Sequence, residues 1–284
     1  MTYVLGRSAP VAGKTDFHRP ALSALARLRA TNSVVAGLPL LLALCLLWEI
    51  APRLGWINAI FFPPLSAVLA ALGDLLASGE MGRHVGISFQ RAGLGFALAV
   101  VVAIPLGFLM GRYPLFEKAT DLLVQTLRNT SQFALLPVFV LLLGIGEASK
   151  IAITFYAAVF FLLVNTIVGV KSVDPLLLKA ARSMGTSDWD LFRKVIFPSA
   201  IPAIVAGMRL GVKASLFSVI AAEMLAARSG LGFLIQNSQL MLKAADMYAG
   251  IIVLTVVGLL LNYALVWIER RATHWRQGDG DQPH

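Results

Sequence analysis

Charge is scarce in this chain. Only 14% of its 284 residues are Asp, Glu, Lys or Arg, against about 25% in a soluble domain. A fold with a fully solvated surface is excluded at that level, and the 58% hydrophobic content and mean hydropathy of +0.78 point the same way. Cysteine occurs once, as Cys45. No intrachain disulfide can form, and Cys45 reads as an apolar filler within a hydrophobic run. The four histidines, His18, His84, His274 and His284, are scattered without metal-ligand spacing, so no metal site is expected. Acids are nearly missing from the apolar runs, with Glu49, Asp121 and Glu223 near their ends; a chain of intramembrane carboxylates that could relay protons is therefore absent. No G-x-x-x-x-G-K-[ST] segment occurs, so the chain has no phosphate cradle of its own. No catalytic residue, no cofactor and no enzymatic activity are expected.

What is present is hydrophobic length. Uncharged runs cover residues 34–48, 92–111, 129–146, 151–170 and 247–268. Most reach the roughly 17–25 residues that cross ~30 Å of hydrocarbon as a helix. The run 199–222 has the length but carries Arg209 and Lys213. The expectation is an all-α, polytopic membrane protein of about six transmembrane helices. Residues 64–79, with Leu65, Val68, Leu69, Leu72, Leu75 and Leu76 at helical spacing, read as an amphipathic surface helix that Ser66 could cap. Pro105 should kink the second span or break its hydrogen-bond ladder. Gly95, Ala99 and Ala103 suit close helix–helix approach. No internal repeat is visible.

The net charge of +9 is distributed as a membrane protein requires, which argues against nucleic acid as a partner. Cations gather before the first run, after the second (Arg112, Lys118), between the fourth and fifth (Lys171, Lys179, Arg182, Arg193, Lys194) and after the last (Arg270, Arg271, Arg276). In a six-span topology these segments share one side, the cytoplasm. Residues 1–33 then form a basic cytoplasmic leader rather than a signal peptide, with 22–29 able to lie on the membrane surface. Residues 34–269 form the membrane domain, and 270–284 a cytoplasmic tail.

Two segments carry candidate function. In the third span Gln125, Arg128, Asn129 and Gln132 fall at i, i+3, i+4 and i+7 and so share a helix face. A polar stripe at that depth lines a substrate path, or extends wetted into the cytoplasm; Pro137 could loosen the helix beyond it. Between the fourth and fifth spans lies a basic, polar elbow, residues 171–198. Asp174-Pro175 reads as N-cap and first helical residue, and Gly185 as the left-handed residue past the helix end. Leu177, Ala180, Ala181 and Met184 form an apolar stripe beside Lys179 and Arg182. Ser187 and Asp190 open a second short helix that should end at Pro198.

The segment Lys179-Ala180-Ala181, then Gly185, then Val195-Ile196-Phe197-Pro198 resembles the EAA loop of ABC-type importer permeases, with Lys179 where that family commonly has an acid. The resemblance extends through His84, Ser88 and Arg91, Arg128-Asn129, Glu147, Ala222-Glu223-Met224 and Ser229-Gly230-Leu231-Gly232. These are similar to the nitrate/sulfonate/taurine group, most of all to aliphatic sulfonate permeases. Ser131-Gln132-Phe133 departs from it. The resemblance implies an inner-membrane subunit of a bacterium that pairs with a second copy of itself. It implies that Lys179, Ala180, Ala181, Gly185 and Pro198 dock on separate ABC ATPase subunits as a coupling helix, and that an extracytoplasmic binding protein delivers substrate. Taurine, nitrate or a thiamine precursor are the alternative substrates. A membrane-bound enzyme or assembly factor is the alternative of another class, which the missing catalytic set opposes.

The cation asymmetry yields a topology test. Reporter fusions after Gly185 and after Arg276 should both show cytoplasmic activity; periplasmic activity at either point would refute the orientation.

Overall fold

The computed structural model describes residues 33–272, so the basic leader, including 22–29, and the tail from residue 273 lie outside the described residues. Helices and turns alone are found within it. The long elements are α1 (Ser33–Arg53), α3 (Glu80–Arg112), α6 (Glu147–Lys171), α9 (Phe197–Ala226) and α11 (Ala244–Ala272). Between them lie α2 (Leu65–Ala77), α4 (Pro114–Asn129), α5 (Gln132–Leu143), α7 (Pro175–Ser183), α8 (Asp188–Leu191) and α10 (Leu231–Leu240). Glu80–Arg112, Glu147–Lys171, Asp188–Ala226 and Ala244–Glu269 are long and apolar enough to cross a membrane, and α4 with α5 makes a fifth, bent span. With the 21 residues of α1, the expected count of about six holds.

The centre of the bundle is α3 against α6, and the sequence explains why they meet so closely. Gly95, Ala99, Ala103, Gly107 and Gly111 recur every four residues along α3 and make one small-residue ridge. A Cβ placed on Gly95 would come within 2.6 Å of Thr154 Cβ, one on Gly107 within 2.6 Å of Thr166 Cβ, and one on Gly111 within 2.7 Å of Val170 Cβ. Ala99 and Ala103 are fully buried. The facing threonines bond their hydroxyls to their own helix, Thr154 to the Lys150 carbonyl and Thr166 to the Leu162 carbonyl, each at 2.7 Å. They therefore offer methyl groups to the seam without leaving a polar group unsatisfied. On its other side α6 packs against α9, where Gly207 faces Asn165 and Gly169 faces Ala200 and Ala203.

Four local expectations need correction. The α3 helix runs unbroken through Pro105, because one missing backbone bond is a small loss in a helix held by packing along its length. Ser66 does not cap α2. Pro64 holds that position, and the Ser66 N–H and hydroxyl instead donate to the two Glu49 carboxylate oxygens, both at 2.9 Å; Ser66 sits inside the first turn, where its spare N–H is met from α1. The third span is not one helix. Thr130 and Ser131 take extended conformations (ψ 129° and 121°), and the axis turns by 96° there, well before Pro137. Gln132 thus belongs to a different helix from Gln125, Arg128 and Asn129. The second elbow helix does not end at Pro198. It passes through a π-turn, Phe192–Ile196, directly into α9. Pro198 lies in the first turn of α9, where a proline has little helix bonding to remove. The short helix α10 was not anticipated.

The seam makes a direct prediction. Gly107→Leu should destabilise the protein by about 1–3 kcal/mol through overpacking, read as a lower melting temperature in detergent. Gly258→Leu, where nothing lies within 4 Å of an added Cβ, should not; equal effects would refute the close-packed seam.

Candidate functional site

The elbow sits where α3 ends, α6 ends and α9 begins. Its first helix is framed as its sequence requires. The Asp174 carboxylate accepts from the Leu176 N–H at 2.7 Å, and Pro175 opens the helix. Gly185 has φ +75°. The Thr186 N–H reaches the Ala181 carbonyl at 3.2 Å and the Gly185 N–H the Arg182 carbonyl at 3.0 Å, the paired closure of a Schellman end. Ser187 accepts from the Asp190 N–H at 3.2 Å and opens α8.

The apolar stripe differs from the expected one. Val173 and Ala181 are buried with Leu191 and Ile196, and Leu178 packs against them. Leu177 and Met184 face outward, together with Leu176 and Trp189, because the turn after Val173 directs Leu178 and Ala181 inward. Lys179, Ala180 and Gly185 are exposed as well, and Pro198 is half-buried. An uncovered surface of Leu176, Leu177 and Met184 therefore stands beside Lys179 and Arg182. Ion pairs fasten its base: Lys171 to Glu117 at 2.6 Å, Lys194 to Asp190 at 2.9 Å, and Arg112 to Asp188 at 3.7 Å.

At the opposite end of the bundle is a cluster of residues that the sequence reading named for the resemblance but did not bring together. Arg91 of α3 is 3% exposed and Glu223 of α9 is 1% exposed. Arg91 Nη1 donates to Glu223 at 2.8 Å and to the Ser229 carbonyl at 2.6 Å. Its Nη2 donates to Glu147 at 2.6 Å and to the Ser229 hydroxyl at 3.1 Å, and its Nε also donates to Glu147. All five guanidinium donors are thereby used. Glu223 further accepts from the Ser88 hydroxyl at 2.7 Å and the Gly232 N–H at 3.0 Å. His84 Nδ1 accepts from the Gly230 N–H at 2.9 Å, which fixes its proton on the other nitrogen if neutral. Gly230, at φ +110°, has no room for a Cβ because the Glu223 carboxylate occupies that place. Gly232 is as tightly placed, since a Cβ there would meet the Ile220 carbonyl at 2.2 Å.

The polar stripe is divided. Arg128 and Gln132 line a cavity of about 690 Å³ between the α4–α5 bend, α6 and α9, joined there by Tyr156 and Asn165. Gln125 instead donates to Asp121 at 2.9 Å, and neither it nor Asn129 reaches the cavity wall. Glu117 is taken by Lys171, so Arg128 has no carboxylate partner among the described residues. No group of three or more metal-ligating side chains occurs among them.

Sequence reasoning named Arg91, Glu147 and Glu223 only as carrying the resemblance and gave them no shared role, because each sits at the edge of an uncharged run. That position was itself the signal: the runs 92–111, 129–146 and 199–222 end against these residues on one side of a six-span topology. Replacing Glu223 with Leu alone removes the buried carboxylate that meets Arg91 Nη1, Ser88 and the Gly232 N–H and should cost about 3–5 kcal/mol, although Glu147 still pairs with Arg91. Arg91→Met combined with Glu223→Leu should cost less than the two single changes summed. Additive losses in detergent melting would refute the coupling.

Comparison with known proteins agrees with this architecture. The family model for the binding-protein-dependent transport system inner membrane component matches residues 103–274. A probable ABC transporter permease of Brucella abortus is 35% identical over 220 residues, 78% of this chain and 88% of that protein. A putative aliphatic sulfonates transport permease of Bacillus subtilis is 32% identical over 84% of this chain and 87% of its own length, and the taurine transport system permease of Escherichia coli is 32% identical over 86% and 91%. A methionine ABC transporter in an inward-facing conformation shares the fold, with a TM-score of 0.61 at 18% identity over 69% of this chain and 98% of that one. The relatives are transport permeases, not enzymes or assembly factors. The chain belongs to the family of binding-protein-dependent transport inner membrane components, the permeases of ABC transporters.

Proposed function

We propose that the chain is the membrane subunit of an ATP-driven importer of aliphatic sulfonates, working as a pair with a second copy of itself. Separate ABC ATPases supply the energy, and an extracytoplasmic binding protein supplies the substrate. The elbow, residues 171–198, is the ATPase dock and faces the cytoplasm with both chain ends. The observation that carries this reading is the outward face of α7. Leu176, Leu177 and Met184 are exposed, beside two cations, on a helix held at both ends by caps. An apolar patch with a charged rim is what a protein partner covers. The joint is stiff where it has to be: α8, the π-turn and α9 form one helix from Asp188 to Ala226, so a push at the elbow moves a whole span. Lys179 takes the place of the family's usual acid on the exposed side of α7, which fits a dock whose partner presents a compensating acid.

The sulfonate assignment draws on the Bacillus relative and on Arg128 and Gln132 lining the cavity beside the α4–α5 bend. Taurine remains the second reading because the Escherichia relative is as similar.

The dock is tested at Gly185. A β-branched side chain resists φ near +75° at a cost of about 1–2 kcal/mol and should unseat the Schellman end without disturbing the spans. Gly185→Val is expected to lower uptake at least tenfold while the amount of membrane-inserted protein stays constant. Crosslinking from Ser183→Cys, in a Cys45→Ala background, should capture the ATPase subunit and be lost with Gly185→Val. Unchanged uptake and crosslinking would overturn the docking role.

A further inference from the structure

A second groove, remote from Arg128, opens where α3 stops and the elbow passes into α9. Its volume is about 780 Å³, within the range of a small-molecule site. Ile104, Phe108 and Leu109 of α3 form one wall, and Phe192 and Phe197 form the other. The rings of Phe108, Phe192 and Phe197 pack on one another, with centroids 5.1, 5.8 and 6.1 Å apart, so the apolar floor is built in advance.

Two observations say what fills it. The groove is the end of an apolar row that the bundle leaves uncovered. Leu94, Leu98, Val101, Pro105 and Leu109 recur every three or four residues along α3 and are all exposed. On a spanning helix such a row lies against acyl chains. Tyr113 and Trp189 stand at its open end, and they are the ring types that collect at the membrane–water boundary. At the same end of the bundle Arg271 lies over the Trp267 ring, 4.9 Å from its centroid. The mouth also carries one charge of each sign. Arg112 Nη2 is 3.7 Å from Asp188 Oδ1, and the two side chains are 40% and 90% exposed. That separation is too long for a hydrogen bond, so each group can take another partner without breaking a tight pair.

We propose that the groove seats one phospholipid with a zwitterionic amino head group. Its phosphate meets Arg112, its ammonium meets Asp188, and one acyl chain lies along the Phe108 and Leu109 wall. Head-group chemistry makes the selection. A primary ammonium offers three N–H donors to the Asp188 carboxylate, and a choline head offers none. A glycerol head gains Arg112, but its uncompensated phosphate is repelled by Asp188. The position gives the lipid a structural task. Arg112 ends α3, and Asp188 opens the helix that runs through to Ala226. A head group touching both ties α3 to the elbow, where the protein itself supplies only a 3.7 Å pair.

The test uses the permease purified with its ATPase in nanodiscs of equal parts phosphatidylethanolamine, phosphatidylglycerol and phosphatidylcholine with identical acyl chains. Native mass spectrometry then counts the lipids that stay bound. One phosphatidylethanolamine per permease chain is expected, preferred over either competitor by about tenfold, the factor that one charge-assisted hydrogen bond supplies. Asp188→Asn should keep a bound lipid but let phosphatidylglycerol compete equally, a change of head-group choice that a merely structural Asp188 would not produce. Arg112→Gln should release all three lipids. A photo-crosslinking residue in place of Leu109 should give an adduct of lipid mass. The proposal is overturned by an absence of retained lipid, by retention without head-group preference, or by unchanged selectivity in Asp188→Asn. Unchanged retention in Arg112→Gln overturns it too, as does crosslinking from position 109 to residues 1–32 or to a second copy of the chain in place of lipid.

Discussion

A guanidinium taken out of water must have every donor met, and the arrangement around Arg91 follows from that requirement. Five N–H groups find five acceptors, on Glu147, Glu223 and Ser229. These acceptors come from the start of α6, the end of α9 and the loop beyond it. One side chain on α3 thus fixes three segments far apart in sequence. The surroundings are fitted to the same need. Ser88 and the Gly232 N–H complete the hydrogen bonds of Glu223, and Gly230 leaves room for its carboxylate. Because the penalty for breaking a buried pair far exceeds the net value of making it, the cluster specifies a geometry more than it adds stability.

The cluster and the elbow lie at opposite ends of the same long helix. From Asp188 to Ala226 the backbone is helical without interruption, and Glu223 stands near its far end. Displacement at the elbow is therefore transmitted as movement of a rigid element whose distal end is pinned by ion pairs. The side of α3 that holds Arg91 continues through the small-residue ridge to Arg112, which meets Asp188 of the elbow. Two helices, packed on either side of α6, so connect the same two ends. A permease that must open to alternate sides needs such stiff elements, and here they are supplied by close packing and by charge at the termini.

Between the two ends the chain gives up helical continuity in one place. The 96° bend between α4 and α5 interrupts a span, and the cavity with Arg128 and Gln132 opens beside it. Irregular backbone at membrane depth is tolerated where it lines a cavity. The extended residues Thr130 and Ser131 are consistent with that rule: the Thr130 hydroxyl satisfies the Thr126 carbonyl at the broken helix end.

Much of the fold was legible because it is set by local or one-dimensional physics. Hydrophobic length gave the spans, and the every-fourth-residue pattern from Gly95 marked the tightest seam. Asp174-Pro175 and Gly185 bounded α7 by capping chemistry that acts within a turn. Side-chain direction on α7 was not legible, since Leu177 and Leu178 are equally apolar and only the turn after Val173 decides which faces the bundle. The Arg128 stripe was half legible. Periodicity assumes an unbroken helix, and neither Thr130 nor Ser131 announces a right-angle bend. The sequence by itself determined the apolar crossings and the ends of the elbow helix. Only the tertiary structure decided that Arg91, Glu147 and Glu223 share one site, because those are contacts between segments whose separation along the chain carries no information about their distance in space.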